Sequence, residues 1–317
     1  MIYFDNAATT KYKPKEVTDA YMYYITEMGV SPGRGSYKLG VEASRMLYKS
    51  RVAISQYFGL VEPNVVFTKN STEAINMFLC GFLEKGDHVI ISSYEHNAVL
   101  RPLEKMREKG LITYSVIDRA DLNLQPTELI AKYVKPNTKL LATTLASNLT
   151  GRIIYNNELF KLAKDKGIST FLDASQGAGK LRINMPAGAI DYLAFTGHKD
   201  LNGLPGVGGL CSIDQLRFAP LIQGGTGVLG HEKTNPKVYP EAYESGTLNM
   251  PAIWALKVAI ELIANKELID RFNPVAQYLL DQLKMLDNVI VYDDDAARVD
   301  TVGFNVLGYS SNDIVKV

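Results

Sequence analysis

The sequence predicts an α/β protein: a large domain on a mainly parallel sheet, followed by a smaller C-terminal α+β domain. Three observations predict it. Short apolar runs of strand length alternate with longer helical patterns through most of the 317 residues, the mark of βαβ units. The runs are apolar enough for a sheet covered by helices on both faces. From about Tyr243 the texture changes to long helical patterns and then two strand-like runs. We place the boundary near 250, giving a large unit of 1–250 and a linker helix with a partial small unit over 251–317. The N-terminal segment is expected to pack on the smaller unit.

The elements follow in order. NVVFT (64–68) is strand-like and leads into helical STEAINMFLCGFL (71–83). HVIIS (88–92) precedes NAVLRPLEKMREKG (97–110), and TYSVI (113–117) leads through a loop to PTELIAKYV (126–134). KLLATTLA (139–146) precedes NNELFKLAKDKG (156–167), after which STFLDA (169–174), DYLAF (191–195) and VGGLCSI (207–213) are strand-like. A long helical pattern from Pro251 to about Asn265 carries Trp254, Leu256, Val258, Ile260, Leu262 and Ile263. A second runs over roughly 268–286, and NVIVYDD (288–294) and VGFNVLG (302–308) form the last strand-like pair. SNDIVKV (311–317) starts as an Asn/Asp-capped helix and stops after one turn, so the small unit is expected to be incomplete and the chain a shortened one.

Composition narrows the function classes. The 34 Lys+Arg balance 34 Asp+Glu, so no global field draws the chain to nucleic acid or to an anionic membrane. Two cysteines, Cys80 and Cys211, exclude a disulfide framework and suit a reducing cytosol. MIYFDNAATT lacks the basic start and apolar core of a signal peptide, and no run of about 18 uncharged apolar residues occurs. A cytoplasmic protein is expected.

In this architecture ligands sit beyond the carboxyl ends of the strands, and four polar clusters fall there. In Lys69-Asn70-Ser71-Thr72-Glu73, Ser71 or Thr72 would cap the next helix, whose first-turn N–H groups make an anion site. His96, in Tyr94-Glu95-His96-Asn97, reads alone as a surface or capping residue, yet its imidazole could stack on a flat heteroaromatic ring or move protons. Asp173, after STFL, is either a cap or a partly desolvated carboxylate needing a cationic partner such as a protonated pyridine nitrogen. Lys199, after DYLAFTGH, reads alone as a surface lysine, but in a cleft it is an amine suited to forming a Schiff base. Together the four supply what pyridoxal 5'-phosphate needs: an anion site, a stacking ring, a buried carboxylate and an amine.

The chain resembles the class V, fold-type I pyridoxal-phosphate enzymes, in their cysteine desulfurase and selenocysteine lyase branch. The matching stretches are YFDNAATT (3–10), FTKNSTEAIN (67–76), EHNA (95–98), SNLTG (147–151), DASQGAGK (173–180), FTGHK (195–199), GVGGL (206–210), GGT (224–226) and ESGTLNMPAI (244–253). The resemblance implies that Lys199 bonds the cofactor and later serves as acid and base at the substrate's α-carbon. It implies that Asp173 keeps the pyridine nitrogen protonated and that His96 stacks on the ring. Gln176 and Asn148 would address the ring's phenolate oxygen, and Ser71, Thr72, Thr196 and His198 the phosphate. A residue at the Gly225-Thr226 turn would reach the phosphate of the other subunit, implying a homodimer. Asn6 and Arg34 would line the substrate mouth.

The implied activity is release of alanine and sulfur or selenium from L-cysteine or L-selenocysteine, with an acceptor protein taking the sulfur toward iron–sulfur biosynthesis. In that branch a C-terminal loop carries the nucleophilic cysteine, and an arginine nearby binds the substrate carboxylate; the sequence reaches Val317 without either. Cys80 on its apolar helix and Cys211 in its strand both read as packed residues. Another class V reaction, by an aminotransferase or β-lyase, and an inactive scaffold of the same fold stay open as alternatives. A phosphate-binding P-loop at Gly179-Lys180 fails, because Ala174 and Leu181 stand where Gly and Ser or Thr are needed. No pair among His96, Asp173 and His198 has metal-ligand spacing, so no metal is expected.

Overall fold

The computed structural model describes residues 2–33, 35–265 and 274–314. Seven strands form the main sheet: β1 (Val65–Thr68), β2 (His88–Ser92), β3 (Thr113–Ile117), β4 (Thr138–Thr144), β5 (Ser169–Asp173), β6 (Tyr192–Thr196) and β7 (Gly208–Ser212), in the order β1-β7-β6-β5-β4-β2-β3. β2 through β6 pair in parallel, whereas β7 is antiparallel to both β6 and β1. Six strands therefore share one direction and β7 opposes them, which matches the mainly parallel sheet expected.

Helices cover both faces: α1 (Lys15–Tyr23), α2 (Lys38–Tyr57), α3 (Ser71–Phe82), α4 (Asn97–Glu108), α5 (Pro126–Tyr133), α6 (Asn157–Asp165) and α7 (Met250–Ala264). Alternation along the strands divides two cores. Leu141 and Leu172 join Phe58, Phe160 and Phe195 on one side, while Leu140, Ala142 and Phe171 join Phe78 and Leu103 on the other. Phe78 stacks on Phe171 with ring centroids 4.7 Å apart, both rings fully enclosed. Burying a ring of this size stabilises by about 1.5–3 kcal/mol, so α3 is fixed firmly over the sheet.

The strands β1 to β7 and helices α3 to α7 fall within a residue or two of the sequence expectation. Two helices before β1 carry no such signal. α1 and α2 have no side-chain cap, and α2 contains Gly40. They form because α7 packs against both. α7 itself begins with Asn249 accepting from Ala252 N at 3.4 Å and buries Ile253, Leu256 and Ile260.

Beyond α7 come α8 (Pro274–Lys284), an antiparallel pair β8 (Val289–Val291) and β9 (Phe304–Val306), and a single turn, α9 (Ser311–Ile314). The expected start of the 268–286 helix and the last residues of SNDIVKV lie outside the described residues. β8 and β9 leave Ile290 44% and Phe304 38% exposed. Among the described residues no helix is long and apolar enough to cross a membrane.

Candidate active site

Because six strands run one way, their carboxyl ends open at one rim. Ser71, Thr72, His96, Asn148, Asp173, Gln176, Thr196, His198 and Lys199, all singled out in the sequence, line one cavity of about 240 Å³ there, with Asn70, Thr144, Ala146 and Ser175. Its walls are the ends of β1, β2, β4, β5 and β6.

Local chemistry sets each side chain. Asn70, in extended backbone before α3, accepts from Glu73 N at 3.0 Å and is the helix cap. The expected cap at Ser71 or Thr72 is thus corrected: both lie inside the helix, and Glu73 closes the turn by accepting from Lys69 N at 2.6 Å. With Asn70 occupied by Glu73 N, the N–H groups of Ser71 and Thr72 have no helical partner and stand at the positive end of α3. The structure gives His96 the capping role: its Nδ1 accepts from Ala98 N at 3.1 Å at the start of α4, and the residue also lines the cavity.

β5 ends on Asp173, only 2% exposed, whose Oδ1 accepts from Ser175 N at 2.9 Å and from the Ser175 hydroxyl. β6 ends on Thr196, and three residues on stands Lys199. Burial lowers its amine below the ordinary lysine range, against the pull of Asp173 and Asp200. His198 is lowered too, by burial and then by Lys199 and Lys13. Burial brings Lys13 down to about 8, and its Nζ donates to His198 O at 2.8 Å. His198 and Lys199 share the cavity lining with Thr196, and Lys13 braces the same loop from behind.

The N-terminal segment straps this loop down. Thr10 N donates to His198 O at 3.1 Å and its hydroxyl to Lys199 O at 2.6 Å, while Gln176 Nε2 donates to Ala7 O at 2.7 Å. Lys13 and this strap were not legible as site features, because their partners lie some 185 residues away.

Glu95 was also missed. It is buried, and its Oε1 accepts from the Ser92 hydroxyl and from Thr144 N at 2.9 Å, tying β2 to β4. Burial pushes its carboxyl up to about 8, the charge of Asp173 adding to the effect and the hydrogen bonds opposing it. A neutral Glu95 at pH 7 spares the site a second buried negative charge. Because the folded pKa lies above the unfolded value of about 4.3, the folded chain holds a proton that the unfolded chain releases. That stabilisation is complete below pH about 4.3 and is lost as pH rises through about 8. In Glu95→Gln, which cannot ionise, Tm relative to the parent should climb by about 4 °C or more between pH 5 and pH 8.5. Thermal melts giving parallel pH profiles for the two proteins would contradict this.

Two predicted residues, Thr226 and Asn6, do not join the cavity. Thr226 lies in the segment between β7 and α7, beside a separate cavity of about 400 Å³ that holds Arg51 and Glu244. The reason is topological: β7 runs against its neighbours, so the chain leaves it at the opposite rim. Asn6 is exposed, donating to Tyr3 O at 3.4 Å and accepting from Lys11 N at 3.2 Å. Arg34 lies outside the described residues. Of the cysteines, Cys211 is enclosed as expected, and burial pushes its thiol far up. Cys80 is exposed rather than packed, on the side of α3 that faces a groove shared with Asn76 and Met106. Partial burial still raises its thiol, against the charge of Lys109. Neither lines the cavity.

The profile of the family aminotransferase class-V matches residues 2–317. The chain belongs to this family. Class V enzymes in general depend on pyridoxal phosphate. Class V relatives of this chain include a probable cysteine desulfurase of Methanothermobacter thermautotrophicus, 30% identical, with 100% of this chain and 80% of that protein covered. Another, from Pyrococcus abyssi, is 31% identical over 83% of this chain and 67% of its own length. The apo structure of a cysteine desulfurase from Thermococcus onnurineus NA1 has a TM-score of 0.85 at 29% identity, covering 99% of this chain and 81% of that one. The class V cavity suits the family's cofactor on its own chemistry. Thr196 Oγ1 is buried in the wall with no hydrogen-bond partner, a donor that a phosphate oxygen would satisfy.

Proposed function

We propose that this chain binds pyridoxal phosphate and acts as a homodimeric cysteine desulfurase, converting L-cysteine to alanine and handing its sulfur to a thiol. The meeting of Lys199, Asp173, His96 and the unpartnered Thr196 hydroxyl in one cavity carries this reading. The desulfurase relatives choose among class V reactions. Thr226, remote from the cavity of its own chain, is the residue offered to a second copy. A cytoplasmic location goes with two free thiols, as a reducing compartment keeps them.

When bound, pyridoxal phosphate withdraws electrons from the substrate's α-carbon and weakens the bonds around it. The chain's residues do the rest. Thr196, His198, Ser71, Thr72 and the α3 N-terminus would hold the phosphate, and His96 would stack on the ring. Gln176 and Asn148 would orient its phenolate oxygen. Asp173, buried at the end of β5, would keep a proton on the ring nitrogen. Lys199, its proton affinity lowered by burial, would hold the cofactor and then take the α-proton and return it to carbon. The C–S bond breaks as an acceptor thiol bonds the sulfur, giving a persulfide and alanine with no external oxidant. Neither Cys80 nor Cys211 lines the cavity, so neither is placed to accept the sulfur.

Borohydride reduction of the purified chain with added pyridoxal phosphate, followed by peptide mapping, tests the reading. A pyridoxyl mass on the Lys199 peptide, with alanine formed from L-cysteine and a thiol, is expected. No adduct would leave an inert scaffold; an adduct without alanine would point to another class V reaction.

A further inference from the structure

The geometry points to Asp293 as a positioning residue: a carboxylate of the C-terminal unit that aligns the two loops presenting His96 and Asn148 to the cavity. Asp293 stands just past β8, its side chain 1% exposed, with φ at 52°, a left-handed conformation that Asp tolerates. Four groups of the large unit converge on it. The Tyr94 hydroxyl lies 2.8 and 2.9 Å from its two oxygens, Arg119 Nη2 2.9 Å and Arg152 Nη1 3.4 Å away, and the Thr150 hydroxyl bonds it too. Burial alone would raise its carboxyl, but the bonds from Thr150 and Tyr94 and the charges of Arg119 and Arg152 take it below the ordinary range.

The partners sit at informative places. Tyr94 is two residues before His96, and Thr150 two residues after Asn148. Arg152 also lies over the Tyr94 ring, 5.9 Å from its centroid, so the two loops are joined to each other as well as to Asp293. The backbone supports the same junction. Val299 N donates to Gly151 O and Ile153 N to Ala297 O, at 2.9 and 2.8 Å. Gly151, at φ 79°, admits this approach because a Cβ there would stand 2.2 Å from Thr301 O. None of these groups lines the cavity, so the hub acts on it only through the two loops.

For its effect on the cofactor, the inference rests on the reading given above. Two variants test it: Tyr94→Phe, which removes one arm and keeps both arginines, and Asp293→Asn, which removes the charge. On cofactor-free protein, amide hydrogen exchange is expected to speed up at 94–98 and 147–152 in both variants, with β1 and β7 unchanged. On the full chain with pyridoxal phosphate, Kd should rise, about tenfold for Asp293→Asn and less for Tyr94→Phe, with a shifted visible absorption band. Exchange unaltered in those loops overturns the inference, whether or not cofactor binds. Loosened loops in a protein whose parent takes up no cofactor would uphold the positioning and overturn the functional reading instead. If Asp293→Asn does not fold, Tyr94→Phe alone decides.

Discussion

Lys199→Ala is expected to cost at least about a thousandfold in turnover of L-cysteine, and to leave no borohydride-fixed pyridoxyl mass on the protein. The size of the effect follows from the two tasks given to one amine. Alanine at the end of the β6 loop can neither hold the cofactor covalently nor move the α-proton. The fold should survive, because the strap on this loop uses the main-chain carbonyls of His198 and Lys199, which alanine retains. Residual phosphate-site binding should persist, since Thr196 and the α3 N-terminus are untouched. A variant that still fixes pyridoxal at its own peptide, or still makes alanine at the parent rate, would remove Lys199 from the mechanism.

Asp173→Asn should separate chemistry from binding. We expect kcat to fall about 100- to 1,000-fold, the scale for losing one preorganised charge at a reacting centre. Cofactor Kd should change by less than about tenfold, because the residues proposed to hold the phosphate are untouched. The asparagine oxygen can still accept from Ser175 N and its hydroxyl, so the turn after β5 is kept and the charge alone is lost. Equal losses in binding and turnover would show that Asp173 anchors the cofactor and does not tune it. Near-parent turnover would show that it does neither.

Much of this was legible in the sequence, and the exceptions share a cause. The strands from β1 to β7 announce themselves because a sheet buried on both faces needs short apolar runs. The four polar clusters are local to strand ends, so parallel strands bring them to one rim without further information. Sequence pattern could not place α1 and α2, whose stability comes from α7 some 200 residues later. Glu95 looked like part of a loop, because only the fold puts Thr144 N against its carboxyl. Asp293 and its two arginines carry no local signal for the same reason. The cap at Asn70 was missed by one residue, since Ser and Thr at the next two positions offer equally good capping groups until backbone angles decide.

The antiparallel strand has a consequence for how the protein is made. Among the described residues β1 pairs with β7 alone, with Val65 opposite Cys211, so its pairing waits until the chain has been synthesised past residue 212. Until then the nascent polypeptide carries an unpaired apolar strand, an edge open to wrong partners. The start of α3 hangs directly on β1, so the anion-binding wall is completed late, after the lysine loop has already emerged. A ribosome-stalled chain ending before Gly208 would carry the amine and the carboxylate but not a seated phosphate wall.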